Sequence, residues 1–242
     1  MRIFYDVDTQ NDFMNKGGAL YVPGAEEIKP NLAILTNYAE QNRIPVVGSV
    51  DIHFGTEEYK AREGELKLWG GPFPNHCMIG TRGQEKIDAT TLNGKYPEKG
   101  GKWPASLYIH HHIGKTRISE EEIQEALEEI THVPKYKTQN GLYFEKQSYD
   151  VFTNPNLKVF LELADVKQAV VYGVATDYCV RAAVLGMQKQ GVQCYVVEDA
   201  IKAVNIDFNG NPDPEFGKKA LEEMAKAGAK FVTTKDVLED KI

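Results

Sequence analysis

The sequence predicts an α/β protein of three layers, α/β/α, with a six-stranded parallel sheet in the middle. Two observations predict it. Short apolar runs rich in β-branched and aromatic residues alternate along the chain with longer stretches of helical period. Strands separated by helices must be joined by crossovers, and crossovers give parallel strands covered on both faces. At 242 residues the chain is long enough to bury a sizeable core in one domain without disulfide or metal staples.

The elements follow in order. The first strand is predicted at 3–7, with a polar turn after it through Asp8–Asp12. A helix over about 26–42 puts Ile28, Leu32, Leu35 and Ala39 on one face. The second strand, at 45–50, is a β-branched run that stops at Asp51. The third is G-L-Y-F-E-K at 141–146, backed by a helix over about 156–164. The fourth is A-V-V-Y-G-V at 169–174; its helix, about 178–190, ends at Gly191, a natural C-terminal stop. A fifth strand at 193–197, a helix over about 215–227 and a sixth strand at 229–233 complete the pattern.

The stretch from about 83 to 140 breaks this rhythm and is predicted to be an insertion lying over one end of the sheet, as a lid or an oligomer contact. It holds the three consecutive histidines His110, His111 and His112, and one helix opened by a capping box from Ser119 to Glu122. That helix carries Ile123, Leu127 and Ile130 as its apolar stripe. In a strand only alternate histidines share a face, so three in a row make a poor ligand set.

Composition narrows the function by exclusion. With 35 acids against 28 bases and a net charge of −7, the average field repels nucleic acid and anionic lipid, so neither is expected as a partner. Three sparse cysteines without a C-x-x-C pair make a disulfide framework unlike this chain and favour a reducing, cytoplasmic setting. The start, M-R-I-F-Y-D-V-D, is too acidic for a signal peptide, and no apolar run reaches membrane-spanning length.

In parallel α/β sheets, ligands bind outside the carboxyl ends of the strands. Four such ends carry reactive groups here: Asp8 after the first strand, Asp51 and His53 after the second, Lys146 at the end of the third, and Cys179 after the fourth. Thr176 or Asp177 resembles a helix N-cap, which would place Cys179 in a first helical turn. There the helix dipole favours a thiolate, and Lys146 would lower the thiol pKa further. Asp8 could move the proton, and backbone N–H groups around Cys179 could hold an oxyanion. The competing reading is a small buried thiol at a strand–helix junction. Asp51, His53 and His76 offer three O/N ligands for a divalent metal; the plainer alternative is a turn cap and a surface histidine.

These residues resemble the isochorismatase-like cysteine hydrolases, and among them the nicotinamidases. The resemblance rests on D-T-Q-N-D-F at 8–13, D-I-H at 51–53, P-N-H-C at 74–77 and G-V-A-T-D-Y-C-V at 173–180. K-Q-S-Y-D-V-F at 146–152 is similar to the family's segment of a lysine followed by an aromatic. The matches run through 1–82 and 141–235. The resemblance implies Asp8, Lys146 and Cys179 as the catalytic triad and Asp51, His53 and His76 as ligands of one divalent metal, zinc first, iron or manganese otherwise. It implies a non-proline cis peptide before Ala175, the Ala175 and Cys179 N–H groups as oxyanion hole, and Phe13 and Phe73 as aromatics flanking a pyridine ring.

The implied reaction is hydrolysis of nicotinamide to nicotinate and ammonia through a Cys179 thioester, in NAD salvage. The alternatives are another small amide or a carbamoyl-type substrate, and a binding protein on a retired hydrolase fold. Lys135 and Lys137 compete with Lys146, and the family's further histidine after Asp-x-His is absent or replaced by Glu57, Glu58 or water. The expected partner is a small amide, and a homo-oligomer follows by analogy only. Asp6, an acid inside the first strand, has no account at this level.

Overall fold

The structure, a computed structural model, describes residues 1–92, 106–112, 118–131 and 141–242. Seven strands form one parallel sheet: β1 (Arg2–Val7), β2 (Val46–Asp51), β3 (Ser106–Ile109), β4 (Gly141–Lys146), β5 (Gln168–Val174), β6 (Gln193–Lys202) and β7 (Lys230–Val232), in the order β3-β4-β2-β1-β5-β6-β7. Among the described residues the helices are α1 (Asn11–Met14), α2 (Ala25–Gln41), α3 (Glu120–Thr131), α4 (Pro155–Leu163), α5 (Arg181–Lys189), α6 (Phe216–Lys226) and α7 (Thr234–Leu238).

The three-layer parallel architecture is the predicted one. Both faces of the sheet are covered, so inner strands bury almost every residue. On one face Phe4, Val46, Val50, Val170 and Tyr172 pack with Ile28, Leu32, Leu35 and Ala39 of α2, and with Val237 of α7. On the other, Ile3, Tyr5, Val47, Phe144 and Val171 meet the apolar stripes of α3 to α6, from Ile123 and Leu127 to Phe160, Val184 and Met224.

The seventh strand is a correction. β3 lies within the stretch read as an insertion over one end of the sheet, and it instead extends the edge, pairing in parallel with β4 from Ser106↔Gly141 to Ile109↔Phe144. Four residues are too short to show a period, which is why the strand was not legible. α3 opens with the predicted capping box: Ser119 N–H donates to Glu122 Oε2 and Glu122 N–H to Ser119 Oγ. It then packs on α4 and β4 as part of a helical layer.

Asp6 is explained by a residue far along the chain. Lys86 Nζ donates to its Oδ2 at 2.7 Å, Thr9 Oγ1 donates to its Oδ1 at 2.8 Å, and the ammonium lies over the Tyr143 ring. Both charged side chains are buried, 0% and 2% exposed, so either one alone would be an uncompensated charge. Lys86→Ala is therefore expected to destabilise the protein by about 3–5 kcal/mol. Urea unfolding is the check; a loss under about 1 kcal/mol, the range of an exposed pair, would mean that water reaches Asp6.

Candidate active site

The carboxyl ends of the central strands bring the candidates together, and register does much of the placing. Asp51 and Lys146 sit directly opposite each other on β2 and β4, and Val7, the last residue of β1, lies between Ser49 and Gly173. Gly173 has φ +118, and a Cβ there would overlap the Val7 carbonyl, so the strand passes β1 closely just before the site.

The D-T-Q-N-D-F loop is a set of fasteners. Asp8 takes the left-handed conformation (φ 47), its N–H donates to the Ser49 carbonyl, and its Oδ1 accepts from Ser49 Oγ at 2.7 Å. Gln10 pairs with the Asp51 backbone both ways, Oε1 accepting from N–H at 2.7 Å and Nε2 donating to the carbonyl at 2.8 Å. Asn11 donates to the Arg82 and Glu85 carbonyls. Asp12 accepts from Cys77 N–H at 2.7 Å and from Ala19 N–H. The His53 N–H donates to the Cys77 carbonyl, tying the two histidine loops together. Phe13 then packs on His76, ring centroids 5.3 Å apart.

Lys146 stands at the centre. Its Nζ lies 2.8 Å from Asp8 Oδ2, 2.5 Å from Asp51 Oδ1 and 3.6 Å from Cys179 Sγ, with the side chain fully buried. Lys135 and Lys137 lie outside the described residues. Burial disfavours the ammonium, but Asp51 and Asp8 more than offset it and hold the Lys146 pKa well above the ordinary range. Burial pushes the Asp8 carboxyl up, against the pull of Lys146. Cys179 departs from expectation: burial, helped by the charges of Asp8 and Asp51, drives its thiol well above the usual value, and Lys146 only partly offsets this.

The segment carrying Cys179 also differs from the predicted first turn of an α-helix. Thr176–Val180 forms one π-helical turn ahead of α5, preceded by a cis peptide between Val174 and Ala175. Neither Thr176 nor Asp177 caps it. Asp177 is turned away to accept from the Val204 and Asn205 N–H groups at 3.0 and 2.6 Å, which pins the loop after β6. Single π-turns recur at functional sites because they re-aim side chains within a helix.

The second constellation joins the first through Asp51, whose other oxygen faces the histidines: His76 Nε2 is 3.5 Å and His53 Nε2 4.0 Å from Oδ2. A fourth group completes it. Glu65 Oε1 lies 3.7 Å from both His53 Nε2 and His76 Nε2. One ligand atom from each of Asp51, His53, Glu65 and His76 falls within 4.8 Å of the others. Glu57 and Glu58 are exposed and do not take that place. Glu65 sits in an irregular loop at no recognisable spacing from D-I-H, and its only local signal was being an acid.

The four groups suit a divalent metal. Among the described residues neither buried ring nitrogen of His53 has a hydrogen-bond partner, and burial, the largest cause, lowers its pKa to about 3, leaving a neutral imidazole. His76 is oriented by its Nδ1 against the Pro74 carbonyl at 2.7 Å, which turns Nε2 towards the cluster. For Asp51 burial opposes ionisation, yet Lys146, His76 and His53 hold the carboxyl well below its usual range. Glu65 is pushed up to about 7, first by burial and then by the charge of Asp51.

Beside both constellations lies a cleft lined mainly by apolar and aromatic groups. Phe13 and Phe73 both line it, beside Tyr149, Tyr178, Ala175 and Cys179. Tyr178 meets Phe73 edge-on at 5.4 Å, and its hydroxyl donates to the Ile206 carbonyl. Tyr149 and Tyr178 were not foreseen as lining residues.

Comparison with known proteins agrees with this arrangement. The Isochorismatase domain model matches residues 110–236, more than half of the chain. The nicotinamidase of Acinetobacter baylyi is 25% identical over 245 residues, covering 96% of this chain and 92% of that protein. The nicotinamidase of Escherichia coli is 27% identical over 247 residues, covering 95% and 93%. The crystal structure of a pyrazinamidase of Pyrococcus horikoshii in complex with zinc superposes with a TM-score of 0.64 at 26% identity, covering 96% of this chain and 98% of that one. The chain belongs to the isochorismatase family. Within it, the chain is a nicotinamidase-like member and an amidohydrolase.

Proposed function

We propose that the protein hydrolyses nicotinamide to nicotinate and ammonia, with Cys179 as nucleophile. The observation that carries this reading is the meeting of Asp8, Lys146 and Cys179 beside an aromatic cleft that Cys179 lines together with Asp51, Glu65 and His76 of the second set. Phe13 and Phe73 would flank a flat ring, and the full-length likeness to nicotinamidases supports a pyridine carboxamide over an aliphatic one.

Asp8 takes the thiol proton as sulfur attacks the amide carbonyl. The Ala175 and Cys179 N–H groups receive the developing oxyanion, each such donor contributing about 3–4 kcal/mol. The C–N bond breaks as Asp8 returns the proton to nitrogen, releasing ammonia and leaving a thioester. Water then attacks the thioester carbonyl, giving its proton to Asp8; the C–S bond breaks and sulfur recovers a proton from Asp8. Lys146 keeps Asp8 ionised between these transfers and stabilises charge near sulfur. A divalent ion held by Asp51, His53, Glu65 and His76, zinc by preference for such donors, would supply an electrophilic anchor for the pyridine nitrogen.

The test is ammonia release from nicotinamide against benzamide and an aliphatic amide of similar size. The reading expects nicotinamide to lead in kcat/KM, and benzamide, which has the ring without its nitrogen, to fall by about tenfold or more, the effect of one lost polar contact. Equal rates on nicotinamide and the aliphatic amide would reject the aromatic subsite. His53→Ala is expected to remove one equivalent of bound metal along with activity. Unchanged metal content by elemental analysis would remove His53 from the ligand set.

A further inference from the structure

We propose that His110, His112 and Glu145 form a second site for a divalent transition cation, zinc or a metal of similar preference for imidazole, at the edge of the sheet. None of the three belongs to the site described above. Just beyond β3, His110 and His112 both turn to Glu145, while His111 is buried between them. Glu145 stands on the neighbouring strand β4, one residue before Lys146, and strand alternation directs the two side chains to opposite faces.

The donor atoms already converge. His110 Nδ1 is 2.8 Å from Glu145 Oε1, and His112 Nε2 is 3.1 Å from Glu145 Oε2. The two imidazole rings lie 4.8 Å apart, and a ligand atom from each of the three residues falls within 4.8 Å of the others. Tetrahedral zinc with bonds of about 2.0–2.1 Å separates its ligands by roughly 3.3 Å, so the donors lie on either side of the spacing the ion requires and small side-chain adjustments would admit it.

The carboxylate is 5% exposed, whereas the imidazoles are 54% and 36% exposed, which leaves a path for the cation and room for water as a further ligand. The framework is fixed from outside the triad. Asn154 Nδ2 donates to both the Ile109 and Glu145 carbonyls, Arg62 Nη1 donates to the His111 carbonyl, and Phe54 meets the His112 ring edge-on at 5.0 Å. Two imidazoles and a carboxylate suit zinc, cobalt, nickel or copper better than magnesium or calcium, which take oxygen donors. Bound there, the cation would tie the edge strand to β4.

The experiment is equilibrium dialysis of the full chain against zinc, with total bound metal counted. Two ions per chain are expected for the wild type, and one each for His53→Ala and for the double variant His110→Ala/His112→Ala. The double variant is expected to keep the wild-type rate of ammonia release when zinc is present. A double variant that binds as many ions as the wild type overturns the proposal. Since that variant could fold poorly, the wild type offers a second reading: carbethoxylation of His110 and His112, followed by peptide mass mapping, should slow by about tenfold or more in zinc, because a metal-bound ring nitrogen is no longer nucleophilic. Unchanged rates at both histidines would equally overturn it. Loss of the first ion in His53→Ala concerns the catalytic cleft alone, so failure of either site is distinguishable from failure of the other.

Discussion

Cys179→Ala is expected to lower nicotinamide hydrolysis by about ten-thousandfold or more, since removal of a covalent nucleophile leaves only binding and oxyanion stabilisation. The same change should shift unfolding by only about 1 kcal/mol, the order of one buried methylene-sized group. The side chain is small and 8% exposed, at the rim of the apolar cluster, with Lys146 as its polar neighbour. Ammonia release and urea unfolding measured on the same preparation separate the two effects. A variant that keeps a tenth of the wild-type rate would exclude Cys179 as nucleophile, whatever its stability.

Lys146→Met carries the second large effect, on stability and activity together. The ammonium neutralises two buried carboxylates at once, Asp8 at 2.8 Å and Asp51 at 2.5 Å. Met fills similar volume without charge, so Asp8 and Asp51 would remain buried and uncompensated; breaking a buried pair in this way costs about 3–5 kcal/mol. Asp8, already raised by burial, would lose the charge that pulls it down and would hold its proton, so it could no longer accept one from the thiol. The rate should fall by about a hundredfold or more, the scale of lost general-base catalysis. A stable, active Lys146→Met protein would contradict both assignments and return attention to Lys135 and Lys137.

The parallel sheet and the strand-end candidates were legible because both follow from local pattern and one topological rule. Asp8, Asp51, Lys146 and Cys179 each sit where a predicted strand stops, and a parallel sheet gathers those stops at one edge. What escaped reading depends on distance in sequence or on irregular backbone. Glu65 reaches the histidines from a loop with no period, and Lys86 reaches Asp6 from 80 residues along the chain. The edge strand Ser106–Ile109 is too short to declare itself, and with it went the meaning of His110 and His112, whose alternate placement was clear but whose partner Glu145 was not. The Cys179 pKa was read in the wrong direction for a related reason. Lys146 does lower it, but burial and the charges of Asp8 and Asp51, whose combined weight at the sulfur a local pattern does not give, outweigh one ammonium.

The account stands most directly on the covalent step, and hydroxylamine tests it. A thioester on Cys179 would be intercepted by hydroxylamine as well as by water, so turnover of nicotinamide in its presence should yield nicotinohydroxamate at the expense of nicotinate. Ammonia, released before the two nucleophiles compete, should appear no more slowly. Nicotinate forming alone at every hydroxylamine concentration, with ammonia release intact, would mean that water attacks the amide directly, and would contradict Cys179 as the nucleophile.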